Sequence, residues 1–209
     1  MSSSADRVQQ LSDGLAAKWT SPRGVELMAA GATVVAGLLR EGPLAVGRAG
    51  ELLGWPGEEV LDRFRAMDFE LETDPAGRVT GAGVSLDLRR PHLMELQGQR
   101  VAGWCAMDVL MFPLVLGEAA SAVVSRCAAT ADPVSLTVTP TGLHTVSPAG
   151  TAVTLAPATG ADIREVFCDR VSFYRSPAEA DLAVARDPDL AACTAAEAWS
   201  VARRLADLF

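Results

Sequence analysis

The chain has 209 residues, 49% hydrophobic but only 5% aromatic, and a net charge of −8. That length supports one sizeable domain or two small ones, with a core resting on Ala, Val and Leu. The acidic balance argues against binding a phosphate backbone, which needs Lys and Arg to displace counterions. No apolar run reaches the ~18 residues expected of a membrane span.

The opening MSSSADRVQQ lacks the basic-then-apolar profile of a signal peptide, so a cytoplasmic protein is expected. Residues 5–19 carry a weak helical pattern. Residues 24–40 carry a stronger one, with Leu27, Val34, Val35 and Leu38 near helical spacing. Gly42-Pro43 interrupts it. LAVGRAGELLGW follows, then a break at Trp55-Pro56, then GEEVLDRFRAM. Pro56 suits the first turn of a new helix, with Glu58 and Glu59 near its positive end. Two short helices joined by a tight turn resemble a helix-turn-helix. Residues 69–87 read as two strands around an Asp74-Pro75-Ala76-Gly77 turn. Helices followed by a hairpin predict a winged-helix-like module over 25–88, after an N-terminal helical extension over 1–24.

The second half has a different texture. HLMELQG and QRVAGW read as strands around Gly98, and a short helix is predicted from Cys105 to Leu116, disturbed by Pro113. SAVVSRC, PVSLTVTP and TAVTLAP are β-branched runs. ADIREVF predicts a short helix and RVSFYRS a strand, and residues 177–186 and 194–208 predict helices. With no internal repeat and a boundary near 88–92, residues 89–209 form a second, mixed domain. The fold class expected is α+β.

Four cysteines, Cys105, Cys127, Cys168 and Cys193, stand far apart with no CxxC pair. In a reducing compartment such cysteines usually serve as small buried apolar residues. GWCAMDVLMFP is the exception worth chemistry. It sets Cys105 three residues before Asp108, on one helical face, in an apolar run that raises the cost of a bare negative charge. By spacing alone the pair is weak evidence. Cys168, in VFCDRVSFY, sits at a predicted helix-to-strand junction where a thiol can face a cleft. Cys193 is expected to be a buried filler. His92 and His144 have no partner at metal-ligand spacing and are expected in surface or capping roles. Arg89-Arg90 is expected as a solvated turn, and the charges of residues 58–68 as an exposed helix face.

Four segments in this order resemble the alkylmercury lyase family, the organomercurial-cleaving enzymes of bacterial mercury resistance. They are GRAGELLGWPGEEV, GWCAMDVLMFP, SRCAATADPVSLTVTP with the downstream VSPAGTAVTL, and DIREVFCDRVSFY. The resemblance spans about residues 35–175. It implies a winged-helix-like N-terminal module, then a mixed catalytic domain of small sheets and helices, with two cysteines and one aspartate as active residues. By motif these fall on Cys105, Asp108 and Cys168, as both catalytic and mercury-binding groups, with Cys127 structural. Some members carry two adjacent cysteines where this chain has Cys168-Asp169. The implied reaction is protonolysis of a carbon–mercury bond, giving a hydrocarbon and Hg(II). It uses no organic cofactor, and an external thiol is needed for turnover. The implied partners are an organomercurial, cellular thiols and, as a candidate recipient of Hg(II), mercuric reductase. Neither nucleic acid nor membrane is expected.

Two competing readings share these residues. One is a winged-helix regulator sensing a soft metal through Cys105 and Cys168; the acidic GEEVLDRFRAM has the wrong sign for a DNA groove. The other is a non-catalytic metal binder, which has no need of Asp108.

Overall fold

The computed structural model describes residues 4–160 and 162–208. Four helices lead: α1 (Ser4–Thr20), α2 (Pro22–Glu41), α3 (Val46–Leu53) and α4 (Val60–Ala66), the last preceded by a 3-10 turn over Gly57–Glu59. Helix α2 starts where the sequence provides a cap. Ser21 Oγ accepts the Gly24 N–H, Pro22 occupies the first turn, and Gly42 closes the far end with its N–H on the Leu38 carbonyl. By length and composition alone α2 could cross a membrane, contrary to the expectation from apolar runs. Yet 56% of its apolar window is buried inside the molecule, the mark of a core helix. The charges of α4 do form an exposed face: Arg63 pairs with Glu59 and Arg65 with Asp62, so its cations are neutralised within their own segment.

An antiparallel sheet of eight strands follows, in the order β1-β2-β3-β5-β4-β6-β7-β8. Its strands are β1 (Glu72–Thr73), β2 (Val79–Ala82), β3 (Val84–Ser85), β4 (His92–Leu96), β5 (Gln99–Gly103), β6 (Ser121–Arg126), β7 (Pro133–Thr139) and β8 (Gly142–Ser147). The expected hairpin around Asp74 is present. The Asp74 carboxylate accepts the Ala76 and Arg78 N–H groups, each at 2.9 Å, which folds the turn. Strand β3 adds what the sequence did not suggest. It pairs with β5, Val84 opposite Gly103, so the sheet continues across residues 88–92. The N-terminal helices join it where Leu44 exchanges two backbone hydrogen bonds with Val79.

Helix α5 (Ala106–Val115) packs between this sheet and α8 (Ala195–Ala206). Residues Ala106 to Pro113 are buried without a break, because the helix is apolar on every side. Pro113 lies in its last turn, and the helix runs two residues beyond it. A second sheet, β10-β9-β11, is built from β9 (Ala152–Leu155), β10 (Phe173–Tyr174) and β11 (Ala191–Thr194). Between β9 and β10 lie α6 (Ile163–Val166) and a 3-10 turn over Cys168–Arg170, and α7 (Pro177–Arg186) precedes β11. The α+β class is as expected.

The smaller expectations divide. Cys127, at the end of β6, is buried with Ala152, Tyr174 and Ala180 and donates to Glu179 Oε2 at 3.4 Å. Cys193 is a buried residue of β11, its thiol 3.5 Å from the Val153 carbonyl. His144 is exposed. His92 corrects the sequence reading: it is 3% exposed, with Nδ1 2.7 Å from Ser125 Oγ and its ring edge-on to Phe173. Burial, helped by the charge of Arg90, pushes its pKa down to about 4, so it is neutral at pH 7. The signal was present in HLMEL, where His92, Met94 and Leu96 share the inward face of a strand.

Candidate active site

Strand β5 ends at Gly103, and the chain turns through Trp104 and Cys105 into α5. The Trp104 N–H donates to the Gly83 carbonyl at 2.9 Å, fixing the turn against the β2–β3 connection. Cys105 is the N-cap of α5, extended at φ −141° and ψ 176°. A reciprocal capping arrangement forms there. The Cys105 side chain accepts the Asp108 backbone N–H, and the Asp108 carboxylate accepts the Cys105 N–H at 2.8 Å. The three-residue spacing therefore does two jobs at once: it caps the helix and holds thiol and carboxyl together.

Cys168 arrives from a distant segment. The Ala106 N–H donates to the Val171 carbonyl at 3.0 Å, tying the start of α5 to the residue that follows the Cys168–Arg170 turn. One sulfur each from Cys105 and Cys168 and one oxygen of Asp108 consequently lie within 4.8 Å of one another. The three residues are 0%, 6% and 8% exposed, in that same order.

Burial governs the electrostatics. Asp108 is pushed up to about 6, chiefly by loss of water, although hydrogen bonds from Cys105 and from the Trp104 and Cys105 N–H groups, and the charge of Arg90, pull the other way. The Cys105 thiol is raised, first by burial, then by its hydrogen bond to Cys168 and by the Asp108 charge. At Cys168 the bond from Cys105 favours the thiolate, but burial and the charges of Asp108 and Asp169 outweigh it, and the net direction is up. At pH 7 the two thiols therefore hold their protons, while Asp108 lies about one pH unit above its pKa, mostly ionised and able to accept a proton and return it.

Arg90 corrects a second expectation. Arg89 is solvated, its side chain 91% exposed, but Arg90 turns inward at 18% and pairs with Glu72, which also meets Arg164 at 3.5 Å. Burial and the neighbouring Arg164 charge pull the Arg90 pKa down, against the charges of Asp169, Asp108 and Cys168. Arg164 lies over the Trp104 ring, 5.1 Å from its centroid. Among the described residues, the buried side-chain nitrogens without a partner are Arg90 Nε and Trp104 Nε1. Nothing in the sequence pointed to this cluster, because Glu72, Arg90 and Arg164 come from three separate segments.

Asp108 and Cys168 also line a cavity of about 50 Å³ whose other walls are almost wholly apolar. One ordered water needs ~10–15 Å³ on this scale, so the space admits a small organic group. Part of its wall comes from Trp104 and from Met107, Met111 and Phe112 of α5. The rest includes Leu15 and Trp19 of α1, and Leu27, Met28 and Gly31 of α2. The sequence marked those helices as amphipathic but gave them no part in a site.

Fold and site together define the class: a mixed helix-and-sheet protein with a buried centre of two thiols and one carboxyl, the donor set a soft metal prefers. The chain belongs to the alkylmercury lyase family. A family profile described as alkylmercury lyase matches residues 87–207. The chain is 39% identical over 166 residues to the alkylmercury lyase of Pseudomonas putida, covering 76% of each chain. It is 34% identical over 172 residues to that of Streptomyces lividans, covering 81% of this chain and 79% of the relative. The Staphylococcus epidermidis enzyme is 33% identical over 170 residues, covering 80% and 77%. The fold matches the crystal structure of the mercury-bound form of MerB2 with a TM-score of 0.75, over 95% of this chain and 98% of that one, at 19% identity.

Proposed function

We propose that this protein cleaves the carbon–mercury bond of organomercurials by protonolysis, with Cys105 and Cys168 as the mercury-binding thiolates and Asp108 as the proton carrier. The observation that carries the assignment is the convergence of two sulfurs and one carboxyl oxygen within 4.8 Å, all buried. Family membership supports the reaction.

The substrate R–Hg⁺ is a soft cation, and thiolate is its preferred ligand. Coordination favours the deprotonated thiol, so mercury supplies what burial withholds. The first thiol to bind loses its proton to solvent. The second passes its proton to Asp108, whose pKa of about 6 suits a group that must accept and return a proton near neutral pH. With two sulfurs donating to mercury, electron density shifts toward carbon. Asp108 delivers its proton there, and the C–Hg bond breaks with its electron pair left on carbon. The sum is R–Hg⁺ plus two thiols, giving RH, Hg(II) held by two thiolates, and one proton. No electron is transferred, and no organic cofactor is required.

External thiols then extract Hg(II), with mercuric reductase as a downstream recipient. A cytoplasmic location, where thiols are abundant, suits this reading. Residues 1–24 serve as an N-terminal extension, residues 25–88, with α2 to α4 and the β1–β2 hairpin, as the winged-helix-like part, and residues 89–209 as the catalytic part.

The test is headspace detection of methane or benzene from methyl- or phenylmercury with excess thiol. Wild type is expected to release hydrocarbon, while Cys105→Ser and Cys168→Ser lose turnover. Asp108→Asn is expected to keep mercury and lose hydrocarbon release. Release of benzene by Asp108→Asn at the wild-type rate would overturn the proton-carrier role.

A further inference from the structure

We propose that the organic substituent of the substrate lies against α2 at Gly31, and that this glycine sets how large a substituent the site accepts. The proposal rests on the reaction assigned above and extends it to substrate selection.

Gly31 sits in the middle of a 20-residue helix, where glycine costs ~1 kcal/mol relative to alanine. A buried helical glycine usually earns its place by close packing, and two others in this helix do. A Cβ at Gly24 would meet the Lys18 carbonyl oxygen at 2.1 Å, and one at Gly37 would meet Leu52 and Leu44 side chains at 2.7 and 2.9 Å. Gly31 is different. It is buried, yet a Cβ there would meet nothing within 4 Å. The missing side chain therefore leaves empty space inside the molecule, and that space is the cavity lined by Asp108 and Cys168.

Helical spacing extends the same wall. Leu27 and Met28 lie one helical turn before Gly31 and Ala32, and all four border the cavity. Facing them are Met107 and Met111 of α5, flexible side chains that adjust to groups of different size. The reacting residues lie within the segment 87–207 that matches the family, whereas Gly31 lies outside it. Chemistry and substrate size are thus assigned to different parts of the chain.

The experiment replaces Gly31 with Ala, Val and Leu and measures kcat/KM for methyl-, ethyl- and phenylmercury with excess thiol. The expected loss grows with both the new side chain and the organic group. A misfit of about one methylene costs a ~10–200-fold preference in an apolar pocket, so Gly31→Leu should lower the phenyl-to-methyl ratio by roughly that factor. Gly31→Ala keeps the test alive if the larger variants fold poorly, since alanine meets no neighbour and favours the helix. Crystals under xenon pressure give a readout free of catalysis: xenon beside Gly31 in the wild type, excluded in Gly31→Val. Losses equal across the three substrates, or unchanged xenon, would overturn this proposal while leaving the reaction intact. A wild type that releases no hydrocarbon from any of them would overturn the reaction and the proposal together.

Discussion

At the scale of single residues, two buried titratable groups oppose each other. Asp108 has a folded pKa of about 6 against an ordinary 3.8. Being raised, it contributes most to stability below the unfolded value, and that contribution is lost as pH rises through about 6. His92 has a folded pKa of about 4 against 6.5. Being lowered, it contributes above 6.5 and is lost as pH falls toward 4. Each shift is worth about 3 kcal/mol, an order-of-magnitude figure. In the wild type the two trends should largely cancel between pH 4 and 6.5. His92→Gln is expected to gain stability on acidification through that window. Asp108→Asn is expected to lose it, and to exceed the wild type most at pH 7 and above. Urea unfolding at several pH values checks both; parallel curves for the two variants would contradict the assignment. These shifts were only half legible in the sequence. The apolar run around Asp108 announced its burial, whereas His92 stood in a strand whose inward face was misread.

At the scale of elements, the decisive local structure is the start of α5. An N-cap usually carries an oxygen, from Ser, Thr, Asp or Asn. Here a sulfur takes the place, and the carboxyl three residues on completes the reciprocal bond. The helix end contributes its partial positive charge to whatever negative charge develops on Cys105 or Asp108. This arrangement leans on Gly83, which adopts φ +78° and lies under the site. A Cβ there would stand 2.9 Å from the Phe112 ring and 3.6 Å from Asp108 Oδ1. Gly83→Ala is therefore expected to cost about 1–3 kcal/mol in backbone strain alone, and to lower turnover by displacing Phe112 and Asp108. Gly31→Ala, with no strain and no clash, should leave the stability of the fold undiminished. Thermal melts of the two variants side by side distinguish a tight approach from an open space.

At the scale of the whole molecule, the site is a junction of parts. The two thiols and the carboxyl come from the start of α5 and the Cys168 turn, the flanking charge from Glu72, Arg90 and Arg164, and the apolar roof from α1 and α2. Helix α1 is held in place by the Arg204–Asp13 pair at 2.6 Å and by packing of Leu15 and Trp19, 1% and 7% exposed. Trp19→Ala should cost about 3–5 kcal/mol, the usual range for a truncated core aromatic. It should also admit water to the cavity and draw the Asp108 pKa back toward 3.8. A denaturation midpoint unchanged by Trp19→Ala would show that α1 is not part of the roof. The sequence by itself determined the α+β class, most of the elements, and the pairing of Cys105 with Asp108, because helical and strand periodicity and a three-residue spacing are local facts. It reached Cys168 only through likeness to a family. Only the tertiary structure decided that Cys168 meets Asp108, that His92 and Arg90 turn inward, and that Gly31 shares a cavity with Asp108 and Cys168. Those are contacts between segments far apart in the chain, set by how helices and sheet pack, and no local pattern encodes which buried face meets which.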